Sequence, residues 1–425
     1  MFKNIFKGNL FKGDMVVWTI FLLLCVVSAI EVFSASSTLS FRSGDHWKPI
    51  SGHLTLMAVG IFITWIIQNI PCKMFWKGVI LLPVSWILLV YVLVKSVAIN
   101  GASRWIDLGI FQFQPSELAK MATVLVVAKL LAIFQRDERS ADPQAWKWIA
   151  IVTIPTVVLI GKENFSTAIL LIGTIYLMMF IGRIPMKQML VVTGVGAGLL
   201  ILGIVAVMTV PLSVWKAVKL DRVETWKARV ENFSKKEEVP PAKYNIVDNA
   251  QVAYANIAIA TSHIVGKGPG NSVERDFLPQ AFSDFIYAII IEELGLIGGA
   301  FVAFLYIFLL IRIGKIARQC NKPFYAFLVM GIGILMVMQA MFNMLVAVGI
   351  MPVTGQPLPL ISKGGTSTLV NCAYIGIILS VSHYVEQLKL QEELQQQADN
   401  PEQQVSLEQT VNLEQQVSLE QQVNP

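Results

Sequence analysis

Ten long apolar runs, separated mostly by short polar segments, set the pattern of the chain. Each approaches the ~20 residues that a helix needs to cross a hydrocarbon core. They fall near 15–36, 53–70, 76–95, 115–134, 147–162, 166–183, 188–211, 283–312, 323–350 and 366–387. Only Lys162, Glu163 and Asn164 part the fifth from the sixth, which read as two spans or as one interrupted hairpin. The pattern predicts an all-α polytopic membrane protein of about ten transmembrane helices. A short N-terminus (1–14), a membrane domain (15–390) and a C-terminal tail (391–425) divide the chain, with a large outer loop (212–282) between helices 7 and 8.

Short cytoplasmic loops collect lysine and arginine. With Lys3, Lys7 and Lys12 inside, fourteen basic residues fall in cytoplasmic segments and six, Arg104 and Lys363 among them, in the opposite short loops. Both termini are therefore expected in the cytoplasm, with the first helix kept as an anchor. Within the outer loop, Trp215, Val218, Trp226 and Val230 alternate with basic residues, an amphipathic helix pattern for the membrane interface or for packing over the bundle. Beyond Lys389 a glutamine-rich tail repeats Val405, Val411, Val417 and Val423 every six residues, a low-complexity pattern that predicts disorder.

Composition agrees with the membrane reading: 55% of residues are hydrophobic and 14% charged, against about 25% charged in soluble domains. The net charge of +5 comes largely from residues flanking the apolar runs, so it does not point to nucleic acid. Cys25, Cys72, Cys320 and Cys372 show no pairing or metal-ligand spacing and read as small apolar fillers.

Three segments carry chemistry that a plain bundle does not need. The first runs from the glycine-rich turn Gly266–Ser272 into an apolar helix with Asp284 at its start and Glu292 and Glu293 farther along. Carboxylates at membrane depth usually face a bundle interior or a wet cavity. On a continuous helix Glu292 would lie roughly 12 Å below Asp284, and the two glutamates would point about 100° apart, so that only one faces a cavity. The turn lacks the ending of a P-loop and follows no strand, which argues against a nucleotide site. In the second segment, Arg104 and Trp105 offer a cation and an amphipathic ring for a lipid-linked anion, or act as an ordinary interface anchor. Pro115 and Glu117 suit a first helical turn, and Glu117 and Lys120 share a helix face. The third segment, Pro352–Ser367, has three prolines and three glycines and cannot form a continuous helix. It reads as re-entrant or cavity-lining backbone, or as a plain outer loop, with Lys363 available to an anion.

These segments resemble the SEDS family (shape, elongation, division and sporulation), over roughly residues 10 to 390. The matching stretches are Asn100–Trp105, Gln114–Lys120, Leu278–Pro279 with Ser283–Ile286, Glu292–Gly295, Pro359–Ser362 and Gly364–Ser367. Gly268–Ser272 is closer to the FtsW branch than to the RodA branch. The resemblance implies a peptidoglycan glycosyltransferase that polymerises lipid II at the outer face of the bacterial cytoplasmic membrane. It also implies a class B penicillin-binding protein as partner, alongside other division proteins. The family's essential aspartate lies in a Leu-Pro-Glu-Ala-His-Thr-Asp-Phe-Ile-Phe pattern and carries over to Asp284. Departures stand at Gln280, Phe282 and Ser283 of that pattern, at Gln112, at Glu163–Asn164 and at Lys363.

The reaction implied is attack of an acceptor sugar 4-hydroxyl on the donor's anomeric carbon, expelling undecaprenyl pyrophosphate. Asp284 is the candidate base, with Glu292 as a possible second carboxylate. Arg104, Lys120 and Lys363 are candidate cations for the pyrophosphate. Trp105, Glu117, Asn271, Ser272 and Ser362 complete the candidate substrate contacts. No motif demands a cofactor, although a divalent cation could contribute. The same buried carboxylates and broken helices would also suit a lipid II flippase, and a non-catalytic division scaffold is a third reading.

Overall fold

The computed structural model describes residues 11–35, 48–95, 105–107, 112–137, 140–210, 250–278 and 281–398, with isolated positions at 215, 223, 224 and 227. Arg104, most of the expected amphipathic helix and the hexapeptide repeats lie outside the described residues. Long helices occupy all ten apolar runs. They are α1 (Met15–Ala35), α2 (Lys48–Gln68), a 3₁₀ turn Cys72–Ile80 continuing as α3 (Leu81–Lys95), α4 (Pro115–Ile133), α5 (Ala145–Gly161), α6 (Phe165–Ile181) and α7 (Met186–Thr209). After a shorter α8 (Ala250–Thr261) come α9 (Ile286–Arg318), α10 (Pro323–Ala347) and α11 (Thr366–Ala398). Seven of the spans are long and apolar enough to cross a membrane by themselves, and α5 and α6 are shorter apolar helices.

The fifth and sixth runs are two helices. Asn164 ends the turn between them and caps α6 by accepting from the Thr167 N–H at 3.3 Å. The loop between α3 and α4 holds a small hairpin, β1 (Ile106–Asp107) against β2 (Gln112–Phe113), and a second pair, β3 (Gln135–Asp137) with β4 (Ser140–Ala141), follows α4.

α10 is the centre of the bundle. It packs against α9, α4, α6 and α11, while α2 lies along α11 and α1 along α9. A helix apolar on every side belongs in the interior, and at Gly331 and Gly333 of α10 there is so little space that Met178 and Ile313 would meet any added side chain. α7 is the opposite case: none of its most apolar window is buried against the protein.

Two expected boundaries shift. Residues 11–14 belong to the fold, because Asp14 caps α1 through the N–H groups of Val16 and Val17 and pairs with Arg312 at 2.6 Å. The tail begins later than residue 391, since α11 continues to Ala398. Its Gln, Glu, Leu and Ala residues are good helix formers, and extending an existing helix avoids the cost of nucleation.

Candidate active site

The irregular segment between α10 and α11 is held by its own carbonyl groups. Asn343 and Gln339 of α10 donate to Gln356 and Pro357 (2.8 and 3.0 Å), and Ser28 of α1 donates to Ile361 at 2.7 Å. Tyr306 of α9 donates to the Pro359 carbonyl. Gln356, Leu358, Leu360, Ile361 and Ser362 are all buried. Buried backbone must find partners, and here helix side chains supply them. The segment is therefore built into the core and is not a plain outer loop. Leu360 keeps a left-handed φ of 66° within it, a conformation that persists where the surroundings over-determine it.

Against this segment lies the turn 281–285, anchored by buried Ala281 and Phe285. Three consecutive carbonyls of the turn accept hydrogen bonds, two from the irregular segment and one from α10. Phe282 accepts from the Lys363 N–H (3.0 Å), Ser283 from the Ser362 hydroxyl (2.6 Å) and Asp284 from the Asn343 amide (2.8 Å). The Asp284 carboxylate accepts from Ser283 Oγ at 3.1 Å and lies beside Gly355, where a Cβ would come within 3.5 Å of Oδ2. Gly355 has φ of 66°, so its lack of a side chain serves both the left-handed turn and the close approach. The Lys363 ammonium sits 5.4 Å from the Phe282 ring centroid, a cation–π contact. Half-burial lowers its pKa below the ordinary lysine value.

Asp284, Ser362 and Lys363 are thus brought together. Thr366 links them to the hairpin that follows Trp105, accepting from the Gln114 N–H at 3.2 Å and donating to the Gln112 carbonyl. Trp105 is half-buried at the start of that hairpin. Asp284 precedes α9, whose N-cap is Phe285, so the helical rise expected between Asp284 and Glu292 does not begin at Asp284.

Glu117 and Lys120 pair at 2.9 Å, as their spacing predicts, but both are buried. The Lys120 ammonium also donates to Gln339 at 2.8 Å, so this cation serves the scaffold and is withdrawn from any surface. Through Gln339 the pair supports the Pro357 carbonyl.

Glu292 and Glu293 form a separate assembly, in which both side chains find partners. α9 breaks at Gly295 (φ 74°, ψ −177°), and the irregular segment 263–268 closes the gap. Lys267 and Gly268 N–H groups donate to the Glu292 and Glu293 carbonyls at 3.0 and 2.8 Å, and Leu296 and Ile297 donate to His263 and Ile264, both at 3.3 Å. These four bonds replace the helical bonds that the break removes. Gly266 and Gly295 permit the contact, because a Cβ on either would be driven into backbone of the other segment.

The turn that follows binds carboxylates. Glu292 accepts from Lys267 Nζ (2.6 Å), the Val273 N–H (3.1 Å) and the Ser272 hydroxyl. Glu293 accepts from the Gly270 and Ser272 N–H groups (2.9 and 3.2 Å) and from Ser34 Oγ, with Arg275 at 3.7 Å. A glycine-rich turn with converging N–H groups is an anion cradle, and this one is filled by the chain's own glutamates. Ser272 is consumed there, and Asn271 donates to the Lys267 carbonyl at 3.0 Å. Neither joins Asp284, and neither does Glu292, whose carboxylate is fully engaged. Nearby, burial raises the Glu274 pKa above the ordinary value; Glu292 adds to the shift and Lys267 opposes it.

Gln339, Asn343, Gln356, Lys267 and Arg275 were not singled out in the sequence. A signal existed for two of them: Gln339 and Asn343 are polar residues four apart on an otherwise apolar helix, hence on one face. Among the described residues, no three His, Cys, Asp or Glu side chains converge as a metal site.

Comparison with known proteins gives a consistent answer. A family model described as a cell cycle protein, FtsW/RodA/SpoVE, matches residues 14–387. The “Probable peptidoglycan glycosyltransferase FtsW” of Coxiella burnetii is 30% identical over 377 residues, covering 86% of this chain and 95% of its own. A solved chain from a peptidoglycan synthase complex, described for its coordination of polymerization and crosslinking, superimposes with a TM-score of 0.66 at 25% identity, covering 88% of this chain and 99% of its own. The rod shape determining protein RodA of Thermus thermophilus shares the fold, with a TM-score of 0.60 at 22% identity over 87% of this chain and 96% of its own. This chain is a multi-pass helical membrane protein that belongs to the FtsW/RodA/SpoVE family, the SEDS proteins.

Proposed function

We propose that the protein is a peptidoglycan glycosyltransferase that polymerises lipid II at the outer face of the bacterial cytoplasmic membrane during cell division. The observation that carries this reading is the Asp284 turn: an acid fixed through three successive carbonyls beside the Lys363 cation. Family membership and the named FtsW relative support the reaction class.

In the proposed step, Asp284 takes the proton of the acceptor 4-hydroxyl as that oxygen bonds to the donor's anomeric carbon. The bond from that carbon to the pyrophosphate oxygen breaks, and undecaprenyl pyrophosphate leaves with the electron pair. A positioned base of this kind typically contributes 10²–10⁴-fold. Lys363, with Arg104 as a second candidate cation, would meet the developing charge. Asp284 would offer one hard oxygen ligand to a divalent cation, with the pyrophosphate itself supplying others. The basic-residue bias of the short loops supports a cytoplasmic position for both termini. The proposed partners are a class B penicillin-binding protein and other division proteins, and the similar solved chain from a synthase complex supports the first.

The test is polymerisation of purified lipid II by the protein co-purified with its transpeptidase, comparing wild type and Asp284→Asn. Glycan strands from wild type and none from a folded, partner-bound variant are expected. Equal strands from both would remove Asp284 from the mechanism. If neither makes strands but wild type moves lipid II across vesicles, the broken α9 belongs to a transporter instead.

A further inference from the structure

We infer that Asn343 is the positioning residue of the glycosyl-transfer site, holding Asp284 in place through its backbone. The inference rests on the reading of Asp284 as the reacting acid. Asn343 is fully buried on α10, and its Nδ2 group donates at 2.8 Å to two carbonyls, those of Asp284 and Gln356. An amide nitrogen carries two N–H donors, so one group spans the turn that bears Asp284 and the segment that bears Gly355, Ser362 and Lys363. The two carbonyl acceptors also decide which end of the amide is nitrogen.

The neighbouring bonds cannot replace it. Ser362 and the Lys363 N–H hold the carbonyls of Ser283 and Phe282, whereas Asn343 donates to the carbonyl of Asp284 itself. Gln356 is in turn fixed by its side chain to Thr167 of α6 at 2.7 Å, so Asn343 ties the Asp284 carbonyl to a point anchored on another helix. Leucine at 343 would fill similar space and leave both carbonyls without this donor. Serine would retain one donor at most.

A displacement of about 1 Å at a reacting group can cost roughly 10²-fold in rate. Asn343→Leu is expected to lower kcat about 10²-fold while KM for lipid II stays within a few-fold, because the substrate contacts remain. Asn343→Ser should fall between, and it serves as the variant if the leucine form does not fold. The control is Thr64→Val, which removes a buried hydrogen bond from Thr64 to the Cys372 carbonyl (2.8 Å) between α2 and α11. The experiment measures kcat, KM, thermal midpoint and transpeptidase co-purification for these variants and for Asp284→Asn.

Loss of kcat in the Asn343 variants, with KM held and Thr64→Val active at a comparable midpoint, supports the assignment. Wild-type kcat in folded Asn343→Leu or Asn343→Ser, with Asp284→Asn inactive, overturns it and leaves the role of Asp284 standing. Equal kcat losses in the Asn343 and Thr64 variants at matched stability also overturn it, since the effect would then be general loosening. Full activity in Asp284→Asn overturns the underlying reading of Asp284 and this inference with it.

Discussion

Lys363 shows how one residue's environment sets its chemistry. In the sequence it is a basic residue in a segment that reads as re-entrant or as a plain outer loop; in the structure it lies half-buried against Phe282, with its pKa lowered by desolvation. A lowered pKa means that the folded state releases the proton before the unfolded chain does at ~10.4. The cation is present below the folded value and lost as pH rises through it, so its help to a departing pyrophosphate fades on the alkaline side. The same shift makes charging Lys363 a cost to folding, one that is complete below the folded value and relieved as pH rises towards ~10.4. Arginine keeps its charge throughout this range. Lys363→Arg should therefore move the alkaline limb of the polymerisation pH–rate profile upward; an unmoved limb would assign that limb to another group.

At the scale of elements, the break in α9 carries the clearest consequence. The strap 263–273 and the helix after Asp284 act as one unit, because four backbone bonds and two buried carboxylates join them. Alanine at Gly295 would have to adopt a φ of 74° and would push its Cβ into the Ile264 carbonyl. Residues forced into such conformations cost about 1–3 kcal/mol, and the steric clash adds to this. Gly295→Ala should lower the thermal midpoint and open the 263–273 strap to protease. Retention of both the wild-type midpoint and protease resistance would show that the strap is not held at the break. The sequence showed the glycines and the glutamates, but not their partnership, because helix periodicity assumes a helix that continues.

For the whole molecule, the basic-residue bias predicts which face carries Asp284. Asp276 lies exposed in the segment between the glutamate cradle and the Asp284 turn, so it reports the side directly. The native cysteines are buried or half-buried thiols, which suits a labelling test. Asp276→Cys in intact spheroplasts should react with a membrane-impermeant maleimide. Reaction only after permeabilisation would invert the topology and exclude polymerisation at the outer face.

The sequence by itself determined the spans, because a helix crossing hydrocarbon must be apolar over about 20 residues and satisfy its own backbone. It also marked Asp284, Glu292 and Glu293 as unusual, because charge at membrane depth is costly. The Glu117–Lys120 pair was legible from local spacing. Tertiary structure alone sorted those charges into roles. It enclosed Lys120, filled the glycine-rich turn with Glu292 and Glu293, and set Ser362 and Lys363 against Asp284. The bonds that decide this join residues far apart in the chain, such as Ser28 with Ile361 and Lys267 with Glu292. Local periodicity carries no record of which buried carbonyl a distant amide or hydroxyl will satisfy; packing of the ten helices decides it.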